Sequence, residues 1–394
     1  MDVNSPALHT GALLALEQSD VAAAHAEFEP DGPWHLDHVN RTMVEQIFAD
    51  QAPDVRLENM SVADGHDGMT ERRKWKLAWN EAGMEACLPK ALFAKATPEG
   101  PYLRETLSLL HMGENEVLFY RHAAKDLDES VPKSFFGATY SGGRFLLITE
   151  DLEETGGRPY WMGDDCPVDH AREVIKTLAK LHATFWESER LEADLIFARP
   201  RSKRFGADWH RKSFIQARAG FLASENGAQL SGDARALMQK WNEGFDAVLA
   251  YWDRLPPTLL HGDSHLGNSY AKPDGSAGLF DWQVIYRGHG LRDVAYFLSG
   301  ALKPNQMAEH KDALLATYFD ELALRGVETD RDLGMKHFAM FALDNWDATV
   351  KTLMRGGYGH KKQGMEDRIF ETTRLLLEND VAGMIDTVVR GGKL

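Results

Sequence analysis

A chain of 394 residues exceeds what a single hydrophobic core usually supports, so two lobes are favoured over one compact body. With 43% hydrophobic and 26% charged residues it sits far from the disordered class, and a formal charge of -16 argues against nucleic acid as a partner, since that affinity rests on Lys and Arg neutralising phosphates. Two cysteines, Cys87 and Cys166, are too few for a disulfide scaffold or a zinc ribbon, and a reducing, cytoplasmic setting is expected.

In chain order, residues 1–35 form a leader. Met1 to Ala24 carries no Lys or Arg, which is unlike a signal peptide, and the leader ends in the turn-forming Pro30-Asp31-Gly32-Pro33 cluster. No apolar run nears the ~18 residues that span a bilayer, so no membrane partner is expected. From Val55 to Asp151 the signals are strand-like. Arg73 to Trp79 alternates Trp75, Leu77 and Trp79 against Lys74 and Lys76, and Ala91 to Ala96 is a short apolar run. A helix is expected over Glu114 to Ala124, then an apolar strand over Arg144 to Thr149. This order describes a small α+β lobe, residues 36–152.

The remainder, residues 153–394, reads as mainly helical. Val174, Leu178, Leu181 and Phe185 share one face of Asp169 to Trp186. Further helices are expected at Ser231 to Leu255, Gly290 to Ala301, Asp312 to Leu324, Asp332 to Met354 and Met365 to Val389, with short strands at Thr258 to Leu260 and Ala277 to Phe280.

The chemistry is concentrated in His261-Gly262-Asp263-Ser264-His265-Leu266-Gly267-Asn268 and in Asp281, thirteen residues after Asn268. Phosphoryl transfer needs a carboxylate to orient or deprotonate the acceptor hydroxyl, and oxygen ligands that hold magnesium on the nucleotide phosphates. Asp263 supplies the first from a loop. Asn268 and Asp281 supply hard oxygens of the kind magnesium prefers.

This string and its downstream Asp resemble the catalytic and metal motifs of the aminoglycoside/choline phosphotransferase superfamily. Leu181-His182-Ala183-Thr184-Phe185-Trp186, Asp281-Trp282-Gln283 and Asp293-Val294-Ala295-Tyr296-Phe297 are most similar to its ecdysteroid-kinase-like branch, whose members phosphorylate hydroxyls of diverse small molecules. The resemblance covers residues 55 to 350 and implies an ATP-dependent kinase with a bilobal, protein-kinase-like fold. It also implies roles. Lys95 fits the strand lysine on the α- and β-phosphates, Glu116 the helix glutamate that pairs with it, Glu150 and Leu152 the backbone groups that bind the adenine edge, and Asp293 the aspartate that braces the catalytic loop. Gly65-His66-Asp67-Gly68-Met69-Thr70 lies where the phosphate-covering loop belongs but lacks the G-x-G-x-x-G spacing, so Gly65 and Gly68 serve equally an ordinary hairpin turn.

Other readings stand beside these. His261, Asp263 and His265 at alternate positions resemble a zinc ligand set, and with it a metal-dependent hydrolase; the other account makes both histidines hydrogen-bonding braces of the loop. A kinase-like protein that binds nucleotide or metabolite without chemistry is a further alternative. Trp241, Trp252 and Trp346 suit a core or an apolar acceptor pocket, and the stretch Met354 to Lys362 a solvated loop or a cover over the acceptor. His182 is expected to serve helix packing.

Overall fold

The computed structural model describes residues 32–67, 69–203, 207–356 and 362–394, and these fall into two compact units. The first runs to Pro159 and takes in Asp194–Phe197 and Phe280–Ile285; the second is Tyr160–Ala193, Ala198–Leu279 and Tyr286–Leu394.

In the first unit, helix α1 (Arg41–Phe48) starts at Asn40, whose side chain accepts a hydrogen bond from Met43 N–H. Strands β1 (Leu57–Asp67), β2 (Glu71–Trp79) and β3 (Ala91–Ala96) follow, then helices α2 (Pro101–Leu109) and α3 (Met112–His122), then β4 (Ser134–Tyr140) and β5 (Arg144–Glu150). The sheet order is β1-β2-β3-β5-β4, antiparallel throughout. The alternation of β2 is realised as expected: Trp75, Leu77 and Trp79 are buried while Lys76 and Ala78 face water. The buried set meets Val44, Phe48, Leu92, Ala94, Leu146 and Ile148 in one core, where each Leu or Ile removed from water contributes roughly 2 kcal/mol. Phe145 and Leu147 point to the opposite face and pack on Val117 of α3.

The second unit is mainly helical: α4 (Val168–Thr184), α5 (Ala207–Ala223), α6 (Gly232–Trp252), α7 (Leu291–Ala301), α8 (Pro304–Leu324), α9 (Arg331–Met354), α10 (Lys362–Glu378) and α11 (Val381–Val389). Short strands β6 (Thr258–Leu260), β7 (Ser269–Ala271), β8 (Ala277–Leu279) and β9 (Tyr286–Gly288) flank the string from His261 to Asn268; β7 pairs with β8, and β6 with β9. Val174, Leu178 and Leu181 of α4 are buried, as are Trp241, Trp252 and Trp346. No described helix is long and apolar enough to cross a membrane.

Three expectations are corrected. The helix near residue 114 starts earlier, at Met112, and α2 precedes it. Helix α8 begins at Pro304 rather than Asp312, because Pro at the first helical position has its φ preset and no N–H to lose. The long helix expected over Met365 to Val389 is two helices: Asp380 adopts φ 48° and caps α11 by accepting from Gly383 N–H. Residues 1–31 of the leader, Gly68 of the glycine-rich turn and residues 357–361 lie outside the described residues.

Candidate active site

Antiparallel pairing of β2 and β3 sets Arg72 opposite Lys95. Two like charges at such a pair repel, so the sheet needs counter-charge there. It comes from two carboxylates. Glu116, buried on α3, accepts from Lys95 Nζ at 2.8 Å through Oε1. Asp281 lies 3.0 Å from Lys95 Nζ through Oδ1 and 3.3 Å from the Arg72 guanidinium through Oδ2. Lys95 itself is buried, which rules out a solvated edge-strand lysine. Burial pushes the Glu116 carboxyl above its usual range, against the pull of Lys95. Its Oε2 has no partner among the described residues.

Asp281 adopts a left-handed backbone, φ 68° and ψ 63°. That geometry is costly for most residues and tolerated by Asp; here it turns the chain out of the strand and lets Trp282 N–H donate to Glu116 Oε1 at 3.2 Å. The Trp282 ring stacks on Phe119 with centroids 3.8 Å apart and planes 9° off parallel. Helix α3 and the Asp281 turn are thus fastened together by a ring stack and a shared carboxylate.

At the end of β5, Glu150 N–H donates to Lys133 O and the Leu152 carbonyl accepts from Gly157 N–H and the Thr155 hydroxyl. Leu152 N–H has no partner among the described residues, and the Glu150 carbonyl accepts from the Thr149 hydroxyl at 3.2 Å. The pair therefore leaves one donor and spare acceptor capacity two residues apart. Lys74 steadies this segment by bridging Asp151 at 2.7 Å and Glu153 at 2.6 Å. Gly65 is an ordinary member of β1 opposite Arg73, its N–H donating to Asp64 Oδ1.

In the second unit the string from His261 to Asn268 is organised by Asp293 of α7. This fully buried carboxylate accepts from His261 N–H at 2.6 Å and Gly262 N–H at 3.1 Å, while Ser264 Oγ donates to its backbone carbonyl at 2.9 Å. Gly262 takes φ 81°, a value side-chain-bearing residues resist, which explains glycine before the aspartate. Burial alone would raise the Asp293 pKa. The His182 hydrogen bond and the Arg292 charge outweigh it and hold the group down at about 2, so it is a permanent anion. His182 also bonds Tyr318 OH at 2.9 Å, so it braces Asp293 as well as packing α4.

Asp263 is held differently. Its N–H donates to His261 Nδ1, its Oδ1 accepts from Tyr296 OH at 3.0 Å, and its side chain keeps 31% exposure, which Asp293 lacks. A carboxylate fixed from one side and open on the other can receive a proton from a bound molecule. Asn268 Nδ2 donates to Asp263 O at 2.8 Å, which orients the amide and leaves Oδ1 without a partner among the described residues. His265 Nε2 lies 3.6 Å from Asp263 Oδ2. Both histidines therefore contact the loop itself, as braces would.

Three residues of these clusters escaped sequence reasoning: Arg72, Tyr296 and Arg292. Arg292 donates to Gly262 O at 2.7 Å and pairs with Asp293 and Asp344, tying the loop to α9. Tyr296 stood in a recognised motif without a role.

With the geometry in place, the sequence profile of the ecdysteroid kinase-like family matches residues 74–326, well over half of the chain. The chain belongs to that family. Family members are kinase-like small-molecule phosphotransferases, and the antiparallel small unit with a mainly helical large unit has the bilobal kinase-like architecture. Among solved structures, this ecdysteroid kinase-like chain is similar to an aminoglycoside phosphotransferase from Alicyclobacillus acidocaldarius (14% identity, TM-score 0.49, covering 82% of this chain and 93% of that one). It is also similar to a choline/ethanolamine kinase family protein from Mesorhizobium loti (12%, TM-score 0.48, 84% and 93%) and to an amicoumacin kinase in complex with AMP-PNP, Ca2+ and Ami (12%, TM-score 0.49, 84% and 93%). No curated protein matches the chain.

Proposed function

We propose that this protein transfers the γ-phosphate of ATP to a hydroxyl of a small-molecule acceptor in the cytoplasm, with Asp263 as the base and Asn268 and Asp281 as magnesium ligands. Residues 36–152 would handle the nucleotide, and residues 153–394 would supply the catalytic loop and the helices that hold the acceptor. The observation that carries this reading is the buried Lys95 ammonium set between Glu116 and Asp281, at 2.8 and 3.0 Å. A core lysine costs several kcal/mol to desolvate, and a purely structural role would be filled as well by an apolar side chain. A cation aligned by one carboxylate and shared with a second suits phosphate binding, in which Lys95 takes the α- and β-phosphates while Glu116 keeps it in line.

The donor set fits magnesium: the Asp281 carboxylate and the unpartnered Asn268 Oδ1 are hard oxygens. Magnesium, when bound, offsets the phosphate charge. The protein's own residues do the rest. Leu152 N–H and Glu150 O would bind the base edge. Gly65 would cover the phosphates, and the same role is proposed for Gly68. Asp263, oriented by Tyr296 and by the loop bonds to Asp293, would take the acceptor hydroxyl proton as the oxygen attacks the γ-phosphorus and the bond from that phosphorus to the β–γ bridging oxygen breaks, releasing ADP.

The test is Asp263→Asn. Stabilisation by ATP with magnesium in a thermal-shift series should change little, while ATP consumption across sugars, amino alcohols, sterol-like alcohols, aromatic alcohols and aminoglycosides should fall by roughly 10²–10⁴-fold. Undiminished turnover in Asp263→Asn would reject Asp263 as the base.

A further inference from the structure

The chain carries 60 acidic against 44 basic side chains, so a lysine or arginine near the core seldom lacks a carboxylate. Arg368 does lack one. It stands half-buried on α10 and makes no ion pair or hydrogen bond with any described residue, whereas in the same unit Arg201, Arg218 and Arg292 are each paired with Asp344 or Asp347. Its guanidinium lies over Gly300 of α7, where a Cβ would be 3.9 Å from NH1 and 4.0 Å from Cζ. Gly300 is one helical turn beyond Tyr296 on the same face, and the Tyr296 hydroxyl donates to Asp263. The unpaired charge is therefore about one turn, roughly 6 Å, along α7 from the tyrosine that orients the proposed base.

A second unmet group follows on α10. Thr372, one turn after Arg368, is 2% exposed and its hydroxyl has no partner among the described residues. Threonines in helices commonly return this bond to the carbonyl four residues back, as neighbouring Thr373 does to Ile369 O at 2.7 Å. Thr372, Ser299 and Leu302 help line a cavity of about 160 Å³. Arg368 stands beside this cavity rather than on its wall, and the cations that do line it are engaged: Arg374 with the lining Glu371 and Glu378, Lys311 with Asp312. A buried hydroxyl and a half-buried guanidinium, both without partners among the described residues, are costly unless something completes them. Burial also holds the Arg368 pKa below the ordinary arginine value, as it does when no anion offsets the charge.

We propose that Arg368 and Thr372 form a subsite for a carboxylate on the acceptor, so that the alcohol phosphorylated at Asp263 is a hydroxy acid. One unpaired positive charge beside one neutral donor matches a monoanion, and a planar guanidinium suits the two oxygens of a carboxylate. The remainder of the acceptor would extend into the adjoining cavity. This rests on the kinase reading for the fate of the hydroxyl, but not for binding of the anion.

The experiment uses the full chain with glycolate, mandelate and ω-hydroxydecanoate, each against its methyl ester, and choline as the cationic control. Binding by calorimetry and ATP-dependent phosphorylation are both measured for the native protein, Arg368→Gln, Arg368→Lys and Asp263→Asn. At least one acid is expected to be preferred over its ester by about 30-fold, with the preference collapsing in Arg368→Gln and largely restored in Arg368→Lys. Asp263→Asn should keep the binding preference and lose phosphorylation. Arg368-dependent binding of an acid that is never phosphorylated would uphold the subsite and count against the kinase reading. Phosphorylation of esters or choline in preference to every acid, or an acid-to-ester ratio untouched by Arg368→Gln, would overturn the subsite while leaving the kinase reading intact.

Discussion

Asp263 and Asp293 sit thirty residues apart, near opposite ends of one hydrogen-bonded cluster, and their surroundings separate them. Asp293 is enclosed by two backbone N–H groups, His182 and Arg292, and can do nothing but stay ionised. Asp263 is open, with one oxygen anchored by Tyr296 at 3.0 Å. Burial and the neighbouring Asp263 charge push the Tyr296 phenol well above its ordinary value, so it remains a donor at any physiological pH. Tyr296→Phe should free the Asp263 carboxylate to rotate and lower kcat by about 10-fold, roughly the worth of one hydrogen bond to a charged group. ATP–magnesium stabilisation should not move; an unchanged kcat would show that the bond positions nothing. The sequence made Asp263, Asn268 and Asp281 legible because their spacing is local. Arg72 could not be found that way, since its partner Asp281 is 209 positions distant and only strand register brings Arg72 beside Lys95.

Elements were legible where one face is buried and the other wet. Strand β2 alternates in composition because it alternates in environment, and α4 repeats its apolar residues every three or four because one side packs. The break between α10 and α11 was illegible for the opposite reason: Asn379-Asp380 contains neither Gly nor Pro, and the left-handed Asp380 was not foreseeable from periodicity. Helix α3 shows how tightly an element is placed. A Cβ on Gly113 would come within 2.0 Å of the Phe145 ring. Gly113→Ala should therefore push α3 off the sheet and cost about 1–3 kcal/mol in urea unfolding despite alanine's better helix propensity. Because Glu116 is on the same turn, ATP-dependent stabilisation should weaken as well. A variant as stable as the parent would mean that the contact relaxes freely.

For the whole molecule, length anticipated two bodies and apolar periodicity a helical majority in the second. It could not anticipate the buried histidines there. His289 and His337 face each other at 5.4 Å, and burial foremost depresses their pKa values to about 3 and about 4. Both stay neutral in the fold while the unfolded chain protonates near pH 6.5, so stability is full above that value and lost as pH falls towards the folded values. At pH 5 each should cost roughly 2 kcal/mol relative to pH 7. Urea unfolding at the two pH values measures this, and His337→Gln should remove about half of the difference; an undiminished difference would place the acid sensitivity elsewhere.

The segment Phe280–Ile285 belongs to the first unit although the chain reaches it only after the loop from His261 to Asn268. Expressed as far as Pro159 alone, the small unit would lack the ring that covers Phe119 and the carboxylate that keeps Arg72 and Lys95 apart in charge. The face that carries Lys95 and Glu116 is finished by a later stitch of chain, so the small unit cannot be excised at Pro159, swapped into a chimaera or matured during synthesis as an independent module.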